Sequence, residues 1–305
     1  MANPKADPSI YYVPDNGWYP VFVALGIMLM LTGLGAWLND TNAGVDGSWT
    51  QSLIGAAVFS VVVFMWFSKV IQENFAGMAN PQLKRSYVWG MGWFIFSEVM
   101  FFAAFFGALY YARTFAVAWL GGEGDKGFTG DYLWPAFTSE WPVVTNPDNN
   151  LFPGPQESMA PPALSAWGTY LPFLNTVLLL ASSIWIHFAH TAIKVQARGR
   201  LIFWLSLTIV FGLAFLALQV EEYIHAYNEL GLTLNSGIYG STFFLLTGFH
   251  GFHVTLGTFI LIIQLLRAFK GHFKADDCFG FEAASWYWHF VDVVWVCLFI
   301  FVYIL

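Results

Sequence analysis

Seven stretches of the sequence are each long and apolar enough to cross a lipid bilayer. They cover approximately residues 18–38, 51–70, 87–120, 166–193, 201–222, 238–269 and 281–305. Because a bilayer core about 30 Å thick needs about 20 apolar residues in a helix, each stretch predicts one spanning helix. None alternates between apolar and polar residues like a barrel strand. The sequence therefore predicts an all-α integral membrane protein with seven transmembrane helices.

The composition excludes most water-soluble classes. Only 10% of the residues are charged, against roughly 25% in ordinary soluble domains. A soluble protein of this size would lack the polar residues needed to cover its surface. No polybasic tract is present, so nucleic acid is not an expected partner. Cys278 and Cys297 have neither a metal-ligand nor a disulfide spacing, and we expect both to be packing residues.

The basic residues predict the orientation, because Lys and Arg concentrate on the cytoplasmic side of membrane proteins. With a cytoplasmic N-terminus, only Arg113 and Lys126 lie on the outer side. The others all lie on the cytoplasmic side: Lys5, Lys69, Lys84, Arg85, Lys194, Arg198, Arg200, Arg267, Lys270 and Lys274. Seven spans then place the C-terminus outside.

These spans predict four regions of the chain. Residues 1–17 form a cytoplasmic tail without the apolar core of a secretory signal. A two-helix bundle at 18–70 and a cytoplasmic linker at 71–86 follow, and a five-helix bundle at 87–305 contains a long outer loop at 121–165. The loop is either a solvated connection or a docking surface for a neighbouring subunit or basic partner. Its acidic residues are Glu123, Asp125, Asp131, Glu140, Asp148 and Glu157.

Glu98 is the strongest candidate for a functional residue. It lies near the middle of the third span, and its neighbours at helical spacing include Phe94, Phe101 and Phe102. No cation on its own helix can pair with it. A charged group at this depth costs several kcal/mol, so the carboxyl is protonated, paired or facing water. The alternative is a protonated carboxyl that is hydrogen-bonded to Ser, Thr or His of another helix.

Other polar residues in the spans are predicted to make interhelical contacts. The pairs His187/His190, His250/His253 and His289/Asp292 each have an i,i+3 spacing that could bind a metal ion or a haem. A site needs further ligands at the same depth, so we expect hydrogen bonding between helices and no metal site. Glu222 and Glu221 are predicted to end the fifth span near the outer interface. The expected interhelical contacts involve Glu222, His250, His253, His289 and Asp292.

Long segments of the chain resemble the cytochrome c oxidase subunit III family. They are YGSTFFLLTGFHGFHVTLGTF at 239–259, FGFEAASWYWHFVDVVW at 279–295 and FIFSEVMFF around Glu98, with LLASSIWIHFAHTAI and LQVEEY matching the fourth and fifth helices. The resemblance implies helix bundles of two and five separated by a cleft that holds phospholipids. It implies haems and copper in subunits I and II and none in this chain. It also implies that the chain packs against subunit I and supports proton uptake while cytochrome c donates electrons for oxygen reduction. Glu98 matches the intramembrane glutamate of the family, as a proton antenna, a lipid-cleft carboxyl or a packing contact.

The resemblance also implies phospholipid contacts on the cytoplasmic side. The matching positions are Glu73, Arg267, Lys270 and His272. The segment ENFAGMAN lacks a histidine and a threonine that the family often shows there. The alternatives are subunit III of a quinol oxidase, which commonly lacks the first two helices, a proton transporter using Glu98, and a haem-binding cytochrome using the histidine pairs. We expect a bacterial inner membrane rather than a mitochondrial one.

Overall fold

The computed structural model describes residues 17–78 and 80–305. Seven helices are long and apolar enough to cross a membrane: α1 Tyr19–Asn42, α2 Thr50–Phe75, α3 Pro81–Leu120, α4 Leu171–Lys194, α5 Arg198–Asn228, α6 Gly237–Phe269 and α7 Phe279–Ile304. Within these described ranges no β-strand forms. The predicted all-α, seven-helix membrane fold is confirmed.

Several helices extend beyond the apolar runs that predicted them. α2 continues to Phe75, and α3 already begins at Pro81. Its start has local causes: the Asn80 side chain accepts a hydrogen bond from the Leu83 amide at 2.8 Å, and proline is favoured in a first helical turn. Hydropathy detects only the part of a helix that lies in the hydrocarbon core of the bilayer, so it predicts the polar ends of α2 and α3 as part of the linker at 71–86.

The described residues form two compact units, one up to Gly90 and the other Met91–Leu305. In the first, α1 and α2 pack through small residues. A Cβ atom on Gly55 would lie 2.4 Å from the backbone nitrogen of Met30. The Ser52 hydroxyl donates to the Met30 carbonyl at 3.1 Å. These two helices therefore meet backbone to backbone, as membrane helices do where small residues face each other.

In the second unit, α7 is the central helix, with 56% of its most apolar window buried. Two tryptophans on it are fully buried, and each donates a hydrogen bond to α4. The Trp288 indole reaches the Ser182 hydroxyl at 2.9 Å, and the Trp295 indole reaches the Thr176 hydroxyl at 3.0 Å. Tryptophan at these positions contributes packing area and also satisfies its one polar atom.

The loop between α3 and α4 is anchored to the ends of other helices. The Asn146 side chain donates to the backbone carbonyls of Phe152 and Ser236. The Met159 amide donates to the Tyr239 hydroxyl at 2.9 Å, and the Tyr170 hydroxyl donates to the Met159 carbonyl at 3.0 Å. A short 3₁₀ helix, Leu164–Thr169, precedes α4, which is why α4 begins later than its apolar run predicted.

Candidate functional site

Glu98 of α3 pairs with His253 of α6 inside the second unit. The carboxyl Oε2 lies 2.9 Å from the imidazole Nε2, and the side chains are 22% and 8% exposed. The imidazole Nδ1 lies 2.6 Å from the Phe249 carbonyl. Because a carbonyl only accepts hydrogen bonds, Nδ1 must carry a proton. The Nε2 contact then needs one further proton, on either the carboxyl or the imidazole. The pair thus holds a single shared proton and has no net charge in either form.

The surroundings of this pair are aromatic. Phe101, Phe102 and Phe290 all place their rings within 6.5 Å of the His253 ring centroid. Tyr287 of α7 stacks on the same imidazole, with centroids 6.4 Å apart. An apolar setting of this kind favours the arrangement without separated charge.

Tyr287 was not identified from the sequence as part of this site. Its side chain is almost fully buried, and it stacks on the imidazole that pairs with Glu98. Within the described part of the chain, its hydroxyl has no hydrogen-bond partner. A buried hydroxyl normally has a partner, so this one is available for water or a ligand. No sequence signal distinguished it, because it lies in a run of aromatic residues.

Asp292 and His289 of α7 meet Ser183 of α4. The Ser183 hydroxyl donates to Asp292 Oδ2 and lies 2.7 Å from His289 Nδ1. Since the hydroxyl has one proton and gives it to Asp292, the His289 nitrogen is the donor in the second bond. The serine therefore connects the two side chains and joins the helices. Spacing within α7 alone indicated only the His289–Asp292 pair, which lies at 3.6 Å.

Glu222 makes a contact between α5 and α7, but it does not lie at the end of its helix as predicted. It is fully buried, and Tyr303 of α7 donates a hydrogen bond to its Oε1 at 2.6 Å. The helix continues past it to Asn228, so the prediction that Glu222 ends the fifth span was wrong. Its neighbour Glu221 is exposed. The polar continuation of α5 lacked the hydropathy of a span, but it remained helical.

His250 makes no hydrogen bond within the described residues, although a polar contact was expected. It is fully buried, and its ring centroid lies 5.7 Å from that of Phe215 on α5 and 5.2 Å from that of Trp295 on α7. His250 thus packs against aromatic rings of neighbouring helices, whereas His253 also contacts a carboxyl. The i,i+3 spacing on α6 did not distinguish these two environments.

The predicted phospholipid-binding residues lie in both units. On α2, Glu73 is 3.8 Å from Lys69. In the second unit, Arg267 lies 3.1 Å from Gln264, and its guanidinium stacks 4.9 Å from the Phe273 ring. Lys270 follows the last residue of α6.

His272 joins this basic cluster. Its amide donates to the Arg267 carbonyl at 3.1 Å. Partial desolvation, together with the positive charges of Arg267 and Lys270, lowers the pKa of the His272 imidazole below its usual value. Arg267, Lys270 and His272 thus lie together at one end of α6 and form a basic cluster.

Comparison with known proteins identifies the chain. The model of the family "Cytochrome c oxidase subunit III" matches residues 10–124 and 161–305. The chain is 35% identical to cytochrome c oxidase subunit 3 of Oryctolagus cuniculus, 36% to that of Osphranter robustus and 35% to that of Bos taurus. Each similarity covers 96% of this chain and 96% of the relative. The protein therefore belongs to the cytochrome c oxidase subunit III family, multi-pass membrane subunits of an oxidoreductase complex.

Proposed function

We propose that this chain is an accessory subunit that carries no redox centre itself. In this proposal the haems and copper belong to subunits I and II, cytochrome c supplies the electrons, and oxygen is reduced to water. The chain packs against and stabilises subunit I, binds phospholipid, and supports proton uptake. The observation that carries the proposal is the pairing of Glu98 with His253 inside a membrane span.

The shared proton explains how this pair could assist proton uptake. A lone carboxylate in lipid is costly, but a carboxyl bonded to imidazole can pass its proton to the ring without a change in net charge. The Glu98 side chain is still 22% exposed in the chain alone, which leaves part of it to contact water, lipid or a neighbouring subunit. The pair therefore combines a low electrostatic cost with a partly exposed side chain.

Glu98→Gln tests this role in the assembled oxidase. Glutamine keeps the size and a hydrogen bond to His253 but cannot release a proton. We expect normal assembly, severalfold slower proton uptake and faster inactivation during turnover, measured by stopped-flow pH changes and sustained oxygen consumption. Glu221→Gln, an exposed carboxyl on α5, is the control. Failure of Glu98→Gln to assemble would show a structural role instead, and unchanged proton uptake would remove the proposed one.

The proposed location is a bacterial inner membrane, with the N-terminus cytoplasmic and the C-terminus periplasmic. The bias of Lys and Arg toward one set of helix ends supports this orientation. Arg267 and Lys270 then face the cytoplasmic leaflet, where anionic headgroups attract cations.

Replacing both Arg267 and Lys270 by Ala tests the phospholipid contact. Because two positive charges near one headgroup are lost, we expect the complex to lose about one bound anionic phospholipid. Native mass spectrometry of the detergent-extracted complex measures this number. The matched control replaces Lys84 and Arg85, an exposed pair on α3, by Ala. Equal lipid retention in both double variants would exclude a specific headgroup site at the end of α6.

A further inference from the structure

Three side chains capable of binding a metal ion converge where α4 ends and α7 begins. His190 lies in the last turns of α4, Cys278 directly precedes α7, and Glu282 lies in its first turn. One ligand atom from each lies within 4.8 Å of the other two. No other group of three His, Cys, Asp or Glu residues in the described ranges meets this distance.

Two of the three ligand separations match those of a tetrahedral zinc site. With zinc–nitrogen and zinc–oxygen bonds of about 2.0 Å and a zinc–sulfur bond of about 2.3 Å, tetrahedral ligands lie about 3.3 Å (N to O) and 3.5 Å (S to O) apart. In this structure His190 Nε2 lies 3.3 Å from Glu282 Oε1, and Cys278 Sγ lies 3.4 Å from the same oxygen. The third pair, His190 and Cys278, lies within 4.8 Å, and these two side chains must approach to about 3.5 Å to bind one zinc ion.

A positive charge already occupies this cluster. The Lys194 ammonium donates to Glu282 Oε1 at 2.9 Å and to Cys278 Sγ at 3.4 Å. Its side chain is 47% exposed and lies at the end of α4, so it can rotate toward water. The cluster thus already favours a cation, and Lys194 is a competitor that a divalent ion can displace.

We propose that His190, Cys278 and Glu282 form a binding site for zinc or a divalent ion of similar ligand preference. Imidazole, thiolate and carboxylate are the ligand types that zinc binds, and a sulfur ligand disfavours magnesium and calcium. A water molecule completes the coordination. The ion displaces Lys194 and ties the end of α4 to the start of α7. This site is separate from the redox metals of the oxidase.

Zinc binding requires loss of the Cys278 proton. Burial, chiefly, and the neighbouring Glu282 raise the pKa of this thiol above its usual value, and Lys194 partly opposes that rise. Binding therefore releases a proton, and apparent affinity increases with pH. In the metal-free protein Cys278 is a thiol that donates to Glu282, and Lys194 and His190 are the other titratable groups at the cluster.

The test uses the intact oxidase complex and zinc alone as the probe. X-ray absorption at the zinc edge reports the ligands without interference from iron or copper. We expect one sulfur neighbour for zinc bound at this site, lost in Cys278→Ser but retained in Cys297→Ser. In zinc titrations, His190→Ala should weaken binding by about tenfold or more, as removal of a ligand does. His187→Ala, three residues earlier on the same helix, is the matched control.

Lys194→Gln gives a test in the opposite direction. If the ammonium competes with the ion, this variant binds zinc more tightly than the original protein. The proposal is overturned if zinc gains no sulfur neighbour that depends on Cys278, or if Lys194→Gln weakens binding. In that case the cluster is an ion pair of Lys194 and Glu282 only. Each variant is also checked for assembly by its haem spectrum, so a folding defect is not mistaken for a lost ligand.

Discussion

Gly55→Leu is expected to separate α1 from α2 and to destabilise the first unit by about 3 kcal/mol, at the upper end of overpacking effects. A Cβ at this position would lie 2.4 Å from the Met30 nitrogen and 2.7 Å from the Gly26 carbonyl oxygen. Both neighbours are backbone atoms, so no rotamer change can relieve the clash. The helices must move apart, and the Ser52 hydrogen bond to Met30 is then lost.

Limited proteolysis of the loop between α1 and α2 measures this separation, together with the amount of the chain retained in the purified oxidase. Gly35→Leu is the matched control, because a Cβ at Gly35 has no atom within 4 Å. We expect the control to behave like the original protein. Equal loop cleavage in both variants would contradict a close α1–α2 contact at Gly55.

The seven helices could be predicted because the bilayer makes length and hydropathy sufficient signals. Each apolar run predicted a helix at its position, whereas helix ends depended on local features that hydropathy does not measure. The Asn80 cap begins α3 earlier than predicted, and α5 continues beyond Glu222 to Asn228. The first error shortened a helix, and the second placed Glu222 at the end of a span, whereas it is buried inside α5.

The candidate site was harder to predict, because its contacts join residues far apart in the chain. Glu98 was identified by its depth alone, but its partner His253 is 155 residues away. The sequence offered Ser, Thr and His as equally possible partners. Likewise, His250 and His253 form an i,i+3 pair on α6, and the sequence does not distinguish their surroundings. The packing of the neighbouring helices places the Glu98 carboxyl beside His253, and the Phe215 and Trp295 rings beside His250.

The cysteines illustrate the same limit. The spacing between Cys278 and Cys297 predicts no metal site. The potential ligands of Cys278 lie elsewhere, since His190 is on α4 and Glu282 is one helical turn further along. Spacing rules recognise metal sites whose ligands lie close together in sequence. A site assembled from the ends of two helices has no such signature.

The other large effect is expected at the centre of the second unit, where Trp288 contacts three neighbouring helices. Its indole donates to Ser182 of α4. Its ring also lies close to Gly212 of α5 and Gly257 of α6. A Cβ atom added at Gly212 would lie 2.8 Å from the ring, and one added at Gly257 would lie 3.0 Å from it. Glycine at these positions makes room for the ring, so this one side chain fills the space between four helices.

Trp288→Ala should therefore destabilise the second unit by about 4 kcal/mol, because the four helices cannot collapse fully into the empty space. The thermal midpoint for loss of this chain from the oxidase measures the effect. Trp288→Phe keeps most of the ring but removes the donor to Ser182, and about 1 kcal/mol should be lost. Trp286→Ala, whose side chain is 39% exposed, is the control. If it lowers the midpoint as much as Trp288→Ala does, Trp288 is not a central packing residue.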